Sequence, residues 1–302
     1  MSRYCSYLPY VLITPALNEE AFIERTIRSM IDQTVLPAKW VIVDDGSTDA
    51  TASIVSQYLS EYEWIDMIKR PQHRERNFAA KVAAFNAGVK FVKGMDYSFI
   101  GNLDADISLP PNYYEDIISE FESDPRLGIA GGIVYSKNGH SFTNDDTALD
   151  SVAGAVQLFR KECFDQVGGY MLLENGGIDA AAEIIARMKG WRVRKFREKR
   201  IHQHRRTGSA GKWLLAARYK EGVQFHALGY STAFYLCRTV YRLKIDRPFL
   251  ISGVVSLCGF LSARVRNRPI SLPPNAVSYL RSEQAGKLRD RFFGTVTRML
   301  NL

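Results

Sequence analysis

Cysteine is scarce in this sequence, and its spacing excludes a zinc site or a disulfide framework. The four cysteines are isolated from one another, with no C-x-x-C pair: Cys5, Cys163, Cys237 and Cys258. The first residues also lack the basic and then apolar segment that is typical of a secretory signal. We therefore expect a reducing, cytoplasmic location.

Long hydrophobic runs are almost as scarce. The one candidate spans residues 248–263, sixteen residues between Arg247 and Arg264, and it is interrupted by glycines and serines. As a helix it would measure roughly 24 Å, whereas the hydrocarbon core of a bilayer is about 30 Å thick. Its length favours a buried or interfacial helix, with a membrane span as the alternative.

The sequence also has no internal repeat, no low-complexity tract and no linker rich in proline and glycine. Its 302 residues are 46% hydrophobic and 24% charged, which is typical of a globular chain and excludes a disordered or collagen-like one.

Acidic residues are rare in the C-terminal third. Residues 1–186 contain 15 basic and 27 acidic side chains, a net charge of −12. Residues 187–302 contain the other 25 basic and 5 acidic ones, a net charge of +20, and the two parts sum to +8. Such an asymmetry predicts an anionic partner for the basic part, either a membrane surface or a nucleic acid.

Short apolar runs alternate with helical periodicity through the first hundred residues. The predicted strands are residues 10–14, which stop at Pro15, and residues 40–43, 65–68 and 97–103; the predicted helices are residues 19–33, 54–59 and 78–92. This alternation predicts an α/β fold with a mostly parallel sheet covered by helices on both faces. Ligands of such sheets bind beyond the carboxyl ends of the strands.

Acidic side chains follow the last of these predicted strands. Asp104 and Asp106 are separated by one residue, so both carboxylates can face one hard cation, which would keep open positions for phosphate oxygens and water. Such an ion would neutralise a diphosphate leaving group. An ordinary acidic turn is the alternative, and it is the common one for an isolated D-x-D pair.

Two further polar clusters follow earlier predicted strands, at residues 14–20 (Thr-Pro-Ala-Leu-Asn-Glu-Glu) and 43–49 (Val-Asp-Asp-Gly-Ser-Thr-Asp). The second has the composition of a turn and a helix cap. A cap needs only one of the adjacent carboxylates Asp44 and Asp45, so the other is available to a nucleotide base or to ribose hydroxyls.

A cluster of histidines and arginines lies where the basic third begins. A neutral imidazole of His204, or else of His202, could complete the ligand set begun by Asp106. Arg205 or Arg206 could bind a phosphate through its planar guanidinium. A solvated basic loop is the alternative.

Five segments, taken in order, carry a resemblance to a known family: residues 14–20, 43–49, 81–88, 103–106 and 159–170. Together they resemble family 2 glycosyltransferases of the GT-A fold, inverting enzymes that use nucleotide-sugar donors and act in exopolysaccharide or lipid-linked glycan synthesis. The resemblance implies a Rossmann-like GT-A fold with an appended basic, helical C-terminal region. We expect a catalytic domain over residues 1–210 and a membrane-associating region over residues 211–302.

The resemblance also implies roles for single residues and a metal, Mg²⁺ or Mn²⁺. Asp106 would be the direct metal ligand, and Asp104 would face both the ribose and the metal. Lys81 would lie near the base or the phosphates. The residues expected to bind the donor are Thr14, Pro15, Ala16, Glu19, Asp44, Asp45, Lys81, Asp104, Arg205 and Arg206.

The general base that the resemblance implies falls on Asp179, at the start of a predicted helix over residues 180–189. The sequence departs from the family here, because Ile178 and Ala181 replace acidic residues that are common in it. Inversion needs a base opposite the departing diphosphate, and a carboxylate after the flexible Gly-Gly of residues 176–177 could serve. An ordinary helix N-cap is the alternative role for Asp179. Glu183, one turn later, is the reserve candidate for the base.

The expected function is therefore metal-assisted, inverting transfer of a sugar from a nucleotide-sugar, with a UDP-sugar as the expected donor. The acceptor would be a glycan or a lipid-linked glycan, and the protein would associate peripherally with an anionic cytoplasmic membrane face. A nucleotide-sugar-binding subunit without transferase activity is one alternative, kept open by Ile178 and Ala181. Binding of a nucleic acid is another, but the acidic clusters would repel a phosphate backbone.

Overall fold

A computed structural model describes residues 7–71, 78–138, 141–143, 148–205, 211–243 and 250–300. The chain divides into two compact units. Unit 1 consists of Met1–Glu174 and Ile178–Thr207, and unit 2 consists of Asn175–Gly177 and Gly208–Leu302. The assignment of catalysis to one part of the chain and membrane association to the other stays a prediction.

Unit 1 is built on one mixed sheet. Its strands in the described residues are β1 (Tyr10–Ala16), β2 (Lys39–Asp44), β3 (Ile65–Lys69), β4 (Phe99–Asn102), β5 (Ile107–Ser108), β6 (Leu127–Asn138), β7 (Ser141–Thr143), β8 (Leu158–Arg160) and β9 (Arg192–Gln203). The strand order is β3-β2-β1-β4-β8-β6-β9-β5, with β7 paired to β6.

Helices connect the strands of unit 1. They are α1 (Ile23–Ile31), α2 (Thr51–Leu59), α3 (Phe78–Phe91), α4 (Tyr113–Ser123), α5 (Lys161–Val167) and α6 (Ile178–Met188). This mixed architecture of strands and helices confirms the predicted α/β class. Strands β1 to β4 are all parallel, as the alternation of strands and helices predicted.

The second half of the sheet was not visible in the sequence pattern. Strand β8 lies antiparallel between β4 and β6, and β5 is antiparallel to β9, whereas β6 and β9 run parallel over long stretches. The register between β6 and β9 shifts between Gly132, which pairs with Phe196, and Ile133, which pairs with Arg200.

The first strand is longer than predicted. It was expected to stop at Pro15, but β1 continues to Ala16, with Pro15 opposite Val43 of β2. Proline cannot donate a ladder hydrogen bond. It is tolerated here because the register of β1 with β4 ends at Ile13, so this side of the strand needs no donor at Pro15.

The core of unit 1 is rich in aromatic side chains. Tyr10 of β1 stacks on Tyr114 of α4 with ring centroids 4.7 Å apart, and Phe99 of β4 lies 4.7 Å from Phe121 of the same helix. Aromatic pairs at this separation stabilise a core beyond the area that they bury. They hold β1 and β4 as a rigid platform, and the polar clusters follow the carboxyl ends of these strands.

Unit 2 is helical, with α7 (Gly211–Ala227), α8 (Thr232–Arg242), α9 (Ile251–Val265) and α10 (Pro274–Leu300). Close packing of α7 against α9 depends on glycine. A Cβ atom at Gly222 would clash with the backbone oxygen of Ser256, and one at Gly259 would clash with that of Tyr219. The glycines of the apolar run are therefore packing residues, and one side of α9 is buried within unit 2.

The other side of α9 is exposed and apolar. Within the described helices, none combines the length and hydropathy that a membrane crossing requires. The exposed side chains of α9 recur at helical spacing: Ile251, Val254, Leu261 and Val265. The predicted helix over residues 248–263 is thus present as α9, with one buried side and one exposed apolar side.

Candidate active site

The loops after β1 and β2 are joined by hydrogen bonds. The backbone N–H of Asn18 donates to Ser47 Oγ at 3.0 Å, and the N–H of Thr48 donates to Asn18 Oδ1 at 2.8 Å. Glu20 accepts from the N–H of Ala50 at 2.9 Å. Asn18 has a φ of 54°, a left-handed conformation that asparagine tolerates better than most residues. The two polar clusters predicted from the sequence therefore form one surface at the carboxyl end of the sheet.

The adjacent carboxylates after β2 have separate partners. Asp44 Oδ1 accepts from the N–H of Ser47 at 2.9 Å and so closes the turn. Asp45 forms an ion pair with Arg70, just beyond β3. Sequence reasoning missed Arg70, because a single arginine after a strand carries no signal. A role for Asp44 or Asp45 in binding a base stays a prediction, and the structure shows that both also stabilise the site.

Thr14, Pro15 and Ala16 are the last residues of β1. The Thr14 hydroxyl is fully buried and accepts from Trp40 Nε1 at 2.8 Å, so its side chain belongs to the sheet interior. The following loop is anchored by Glu19, whose backbone N–H donates to Thr51 Oγ1 at 2.7 Å. Any contact of Thr14 with a nucleotide would therefore use its backbone rather than its hydroxyl.

Asp104 lies between two donors. Its Oδ1 accepts from Lys81 Nζ at 2.6 Å and from Asn102 Nδ2 at 2.9 Å. The structure thus brings Lys81 of α3 to the carboxylate of the D-x-D pair, two positions that the sequence analysis had both assigned to the donor site. Asn102, the last residue of β4, was not predicted as a site residue.

The surroundings of Asp106 raise the pKa of its carboxyl group. Burial, the negative charge of Asp104 and that of Glu19 raise its pKa from 3.8 to about 6, and Arg205 and a hydrogen bond from Gln203 oppose the shift. Arg205 forms an ion pair with Glu19 and places its Nε 3.5 Å from Asp106 Oδ2. A carboxyl group whose pKa is raised by burial and by neighbouring negative charges marks a position that favours a cation.

The two histidines flank Gln203 at the end of β9. The N–H of His204 donates to the backbone oxygen of Asp106 at 2.9 Å, and its Nε2 lies 2.8 Å from Ser108 Oγ. Burial lowers the pKa of His204 below 6.5, which favours the neutral ring. Neighbouring residues of a strand face opposite sides. Because Gln203 reaches Asp106 at 3.3 Å, His202 faces away from it, towards Tyr135.

At the predicted metal site the structure shows the carboxylates of Asp104 and Asp106 but no complete set of protein ligands. Across the part of the chain that the structure describes, no group of three His, Cys, Asp or Glu side chains is arranged to hold a metal ion. Arg206, predicted to bind a phosphate, lies outside the described residues. The protein ligands available to a metal at Asp106 are therefore few, which would leave coordination positions to a bound ligand and water.

Asp179 lies inside the first turn of α6, which begins at Ile178, two residues earlier than predicted. Its Oδ2 accepts from the N–H of Gly154 at 3.1 Å, and its Oδ1 accepts from the N–H of Ala180 at 2.9 Å. Because α6 begins at Ile178, Asp179 is a residue of the helix rather than its N-cap, so the alternative role of an ordinary N-cap is not realised. The contact with Gly154 ties Asp179 to a loop that also contacts β4.

Glu183 is buried, and its carboxyl group points into the protein. Its Oε1 accepts from the N–H of Val152 at 2.6 Å and from Gln157 Nε2 at 3.1 Å. Burial is the main cause that raises the pKa of Glu183 from 4.5 to about 8, with a smaller effect from Asp179, and Arg187 opposes it. Glu183 is 2% exposed whereas Asp179 is half-buried, so Asp179 is the better candidate for the base.

Taken together, the fold and the site define a GT-A protein with a cluster of carboxylates and cationic side chains at the carboxyl ends of its central parallel strands. The family model for glycosyl transferase family 2 matches residues 11–173, more than half of the chain. The chain belongs to this family.

One relative is the chondroitin synthase of Pasteurella multocida, which is 32% identical over 132 residues, 43% of this chain and 12% of that protein. The mannosyltransferase PcManGT from Pyrobaculum calidifontis, solved with GDP-Man and Mn²⁺, has a TM-score of 0.56 at 15% identity and covers 97% of this chain and 84% of its own.

Residues 1–349 of TarS from S. aureus, solved with UDP-GlcNAc, have a TM-score of 0.53 at 15% identity, covering 93% of this chain and 92% of that one. At such identities these structures show the fold. The chain spans only 11 to 16% of the length of three synthases that it matches in sequence.

Proposed function

We propose that this chain transfers a sugar from a nucleotide-sugar, with a UDP-sugar as the first donor to test, to a glycan or lipid-linked acceptor, with inversion at the anomeric carbon. The observation that carries this proposal is the carboxylate cluster of Asp104, Asp106 and Glu19 at the carboxyl end of the sheet, with Lys81 and Arg205 beside it. The TarS complex with UDP-GlcNAc supports a UDP-linked donor.

The residues present fit a divalent cation. Burial and the negative charges of Asp104 and Glu19 raise the pKa of Asp106, so a cation beside it relieves repulsion. Carboxylate oxygens are the ligands that Mg²⁺ and Mn²⁺ prefer. Asp106 would hold the ion, with Asp104 beside it. His204 is the candidate imidazole, because its backbone N–H donates to the backbone oxygen of Asp106. A bound ion would neutralise charge on the diphosphate leaving group. The Mn²⁺ in the PcManGT complex supports the same assignment.

The other side chains of the site would bind the diphosphate and orient the acceptor. Lys81 fixes Asp104 and brings a positive charge to the site of the diphosphate. Arg205, which pairs with Glu19, can exchange that contact for a phosphate. Asp179 is the proposed base, and it would take the proton of the acceptor hydroxyl at a carboxylate oxygen that is already oriented by the N–H of Gly154.

Unit 2 is proposed to bind an anionic membrane surface. Residues 232–268 contain seven basic side chains and one acidic one. The exposed, apolar face of α9 in the same stretch includes Val254, 54% exposed, and Val265, 81% exposed. Apolar insertion and attraction of basic residues to anionic lipids add to each other. A lipid-linked acceptor would then be reached at the cytoplasmic membrane face.

The deciding experiment is thermal unfolding across a panel of nucleotide-sugars, each with Mn²⁺, with Mg²⁺ and with EDTA. We expect one donor to raise the melting temperature in the presence of metal only. Turnover of that donor with candidate glycan acceptors follows, with the anomeric configuration of the product read by NMR. No stabilisation by any nucleotide-sugar would refute the proposal.

A nucleotide-sugar-binding subunit without transferase activity is the second candidate, favoured by one observation. Ile178 and Ala181, both buried, replace acidic residues at the start of α6. Donor binding with no turnover on any acceptor would support this candidate. A third possibility, binding of a nucleic acid by the basic part, is tested with an oligonucleotide at matched salt; we expect weak binding that salt abolishes.

A further inference from the structure

One short segment touches both halves of the candidate site. Residues 152–157, named here the bridging segment, contain a single 3-10 turn between α6 and β4 in the fold. Asn102 Nδ2 donates to the backbone oxygen of Gly154 at 2.6 Å. The N–H of Asp104 donates to the backbone oxygen of Ala155 at 2.9 Å. The carboxyl end of β4 is therefore bonded directly to this segment.

The same segment contacts the candidate base. The N–H of Gly154 donates to Asp179 Oδ2 at 3.1 Å. Gly154 thus bonds through its N–H to the candidate base and through its C=O to Asn102, which in turn donates to Asp104. A Cβ atom at Gly154 would lie 3.1 Å from Asp179 Oδ2, so the approach of the two elements is close. The bridging segment therefore links Asp179 to Asp104 through a chain of hydrogen bonds.

The bridging segment is held at both of its ends by one buried carboxyl group. Glu183 Oε1 accepts from the N–H of Val152 at 2.6 Å and from Gln157 Nε2 at 3.1 Å. Gln157 Nε2 also donates to the backbone oxygen of Val152 at 3.1 Å, and Gln157 Oε1 accepts from the hydroxyl of Tyr170 at 2.7 Å. Gln157 is fully buried and Glu183 nearly so.

We propose that Glu183 and Gln157 are positioning residues that fix the bridging segment and thereby set the place of Asp179 relative to the donor site. The proposal rests on the function proposed above. Asp179 and Glu183 lie four residues apart on α6 and therefore on one face of the helix. Asp179 accepts a hydrogen bond from the middle of the bridging segment, and Glu183 accepts hydrogen bonds from its two ends. The role of Glu183 is then to accept hydrogen bonds, and it is distinct from that of a base.

The choice of substitution separates these roles. Glu183→Gln keeps an oxygen that can accept from Val152 and Gln157, so we expect it to retain at least about a third of the wild-type kcat. Glu183→Leu leaves two buried donors without that acceptor. A misplacement of about 1 Å at a reacting group can lower the rate roughly 10²-fold. We therefore expect kcat to fall about 10²-fold, with the KM for the donor within about twofold of wild type.

A second pair of measurements guards against simple loss of stability. Tyr170→Phe removes one hydrogen bond to Gln157 and nothing else, and it should lower kcat by a few fold. Ile27→Ala, in the core at α1, is the control for lost stability. At a temperature where Ile27→Ala and Glu183→Leu are both fully folded, Ile27→Ala should keep kcat within about twofold of wild type. Equal losses of kcat in Ile27→Ala and Glu183→Leu would overturn the positioning role.

Hydrogen exchange supplies a readout that needs no turnover. In Glu183→Leu the amides of the bridging segment, including that of Gly154, should exchange at least about tenfold faster, while amides of β1 and β2 stay protected. Unchanged protection in the bridging segment would overturn the inference. If the wild type binds no nucleotide-sugar, the proposed function fails, and the exchange result still decides whether Glu183 holds the segment. Loss of all turnover in Glu183→Gln would instead make Glu183 the base.

Discussion

Replacing Glu183 by glutamine should stabilise the protein, and the gain should grow as the pH rises. Burial raises the pKa of Glu183 from 4.5 in the unfolded chain to about 8 in the folded protein. Between these values the folded state holds a proton that the unfolded state has released, so the free energy of unfolding falls as the pH rises through this interval. Glutamine has nearly the same shape and does not ionise, so the free energy of unfolding of the variant does not fall in this way.

The size of the effect follows from the two pKa values. One pKa unit corresponds to about 1.4 kcal/mol, so a shift from 4.5 to about 8 limits the loss to about 5 kcal/mol. The variant should gain about 1 kcal/mol over wild type at pH 5, about 3 kcal/mol at pH 7 and close to the limit at pH 9. A constant offset from altered hydrogen bonds shifts all three values alike, so the rise of about 4 kcal/mol from pH 5 to pH 9 is the diagnostic quantity.

The assay is urea unfolding at the three pH values, followed by tryptophan fluorescence. Three of the four tryptophans belong to unit 1: Trp40, Trp64 and Trp191. Glu162→Gln, which removes the same charge from an exposed position of α5, is the matched control and should show no comparable rise. A difference between Glu183→Gln and wild type that does not change with pH would refute the view that a buried carboxyl group titrates here.

Three further outcomes test the proposed function. Asp106→Ala should abolish Mn²⁺-dependent binding of UDP with the fold intact by circular dichroism, and equal binding by wild type in EDTA and in Mn²⁺ would contradict the metal role. Asp179→Asn should lower turnover by roughly 10² to 10⁴ with little change in donor affinity, whereas lost affinity would place Asp179 in the binding site. On anionic vesicles, 1 M salt should release only part of the wild type, because salt screens charge and leaves apolar insertion intact. Replacing Val254, Leu261 and Val265 together by serine should make that release complete. A wild-type protein that never sediments with the vesicles would refute the proposed membrane binding.

Local pattern was sufficient for the first half of the sheet. The period and length of the apolar runs located β1 to β4 and the helices between them. A strand covered on both faces is a short apolar run in the sequence, and each crossover helix is an amphipathic one. The place of Asp104 and Asp106 at a strand end also followed from the sequence, since ligands of parallel sheets bind at carboxyl ends. Pro15 misled the prediction because its tolerance depends on where the pairing of β1 with β4 ends.

Contacts between distant residues were decided by the tertiary structure alone. Strand β8 is inserted between β4 and β6, and this order brings Gly154 to Asn102 and to Asp179, which lie 52 residues before it and 25 residues after it. Sequence spacing placed Glu183 on the same helix face as Asp179, but it could not show that this face is buried at Glu183. Whether a carboxyl group meets solvent, a metal or a buried N–H depends on what packs against it, and that partner comes from another part of the chain.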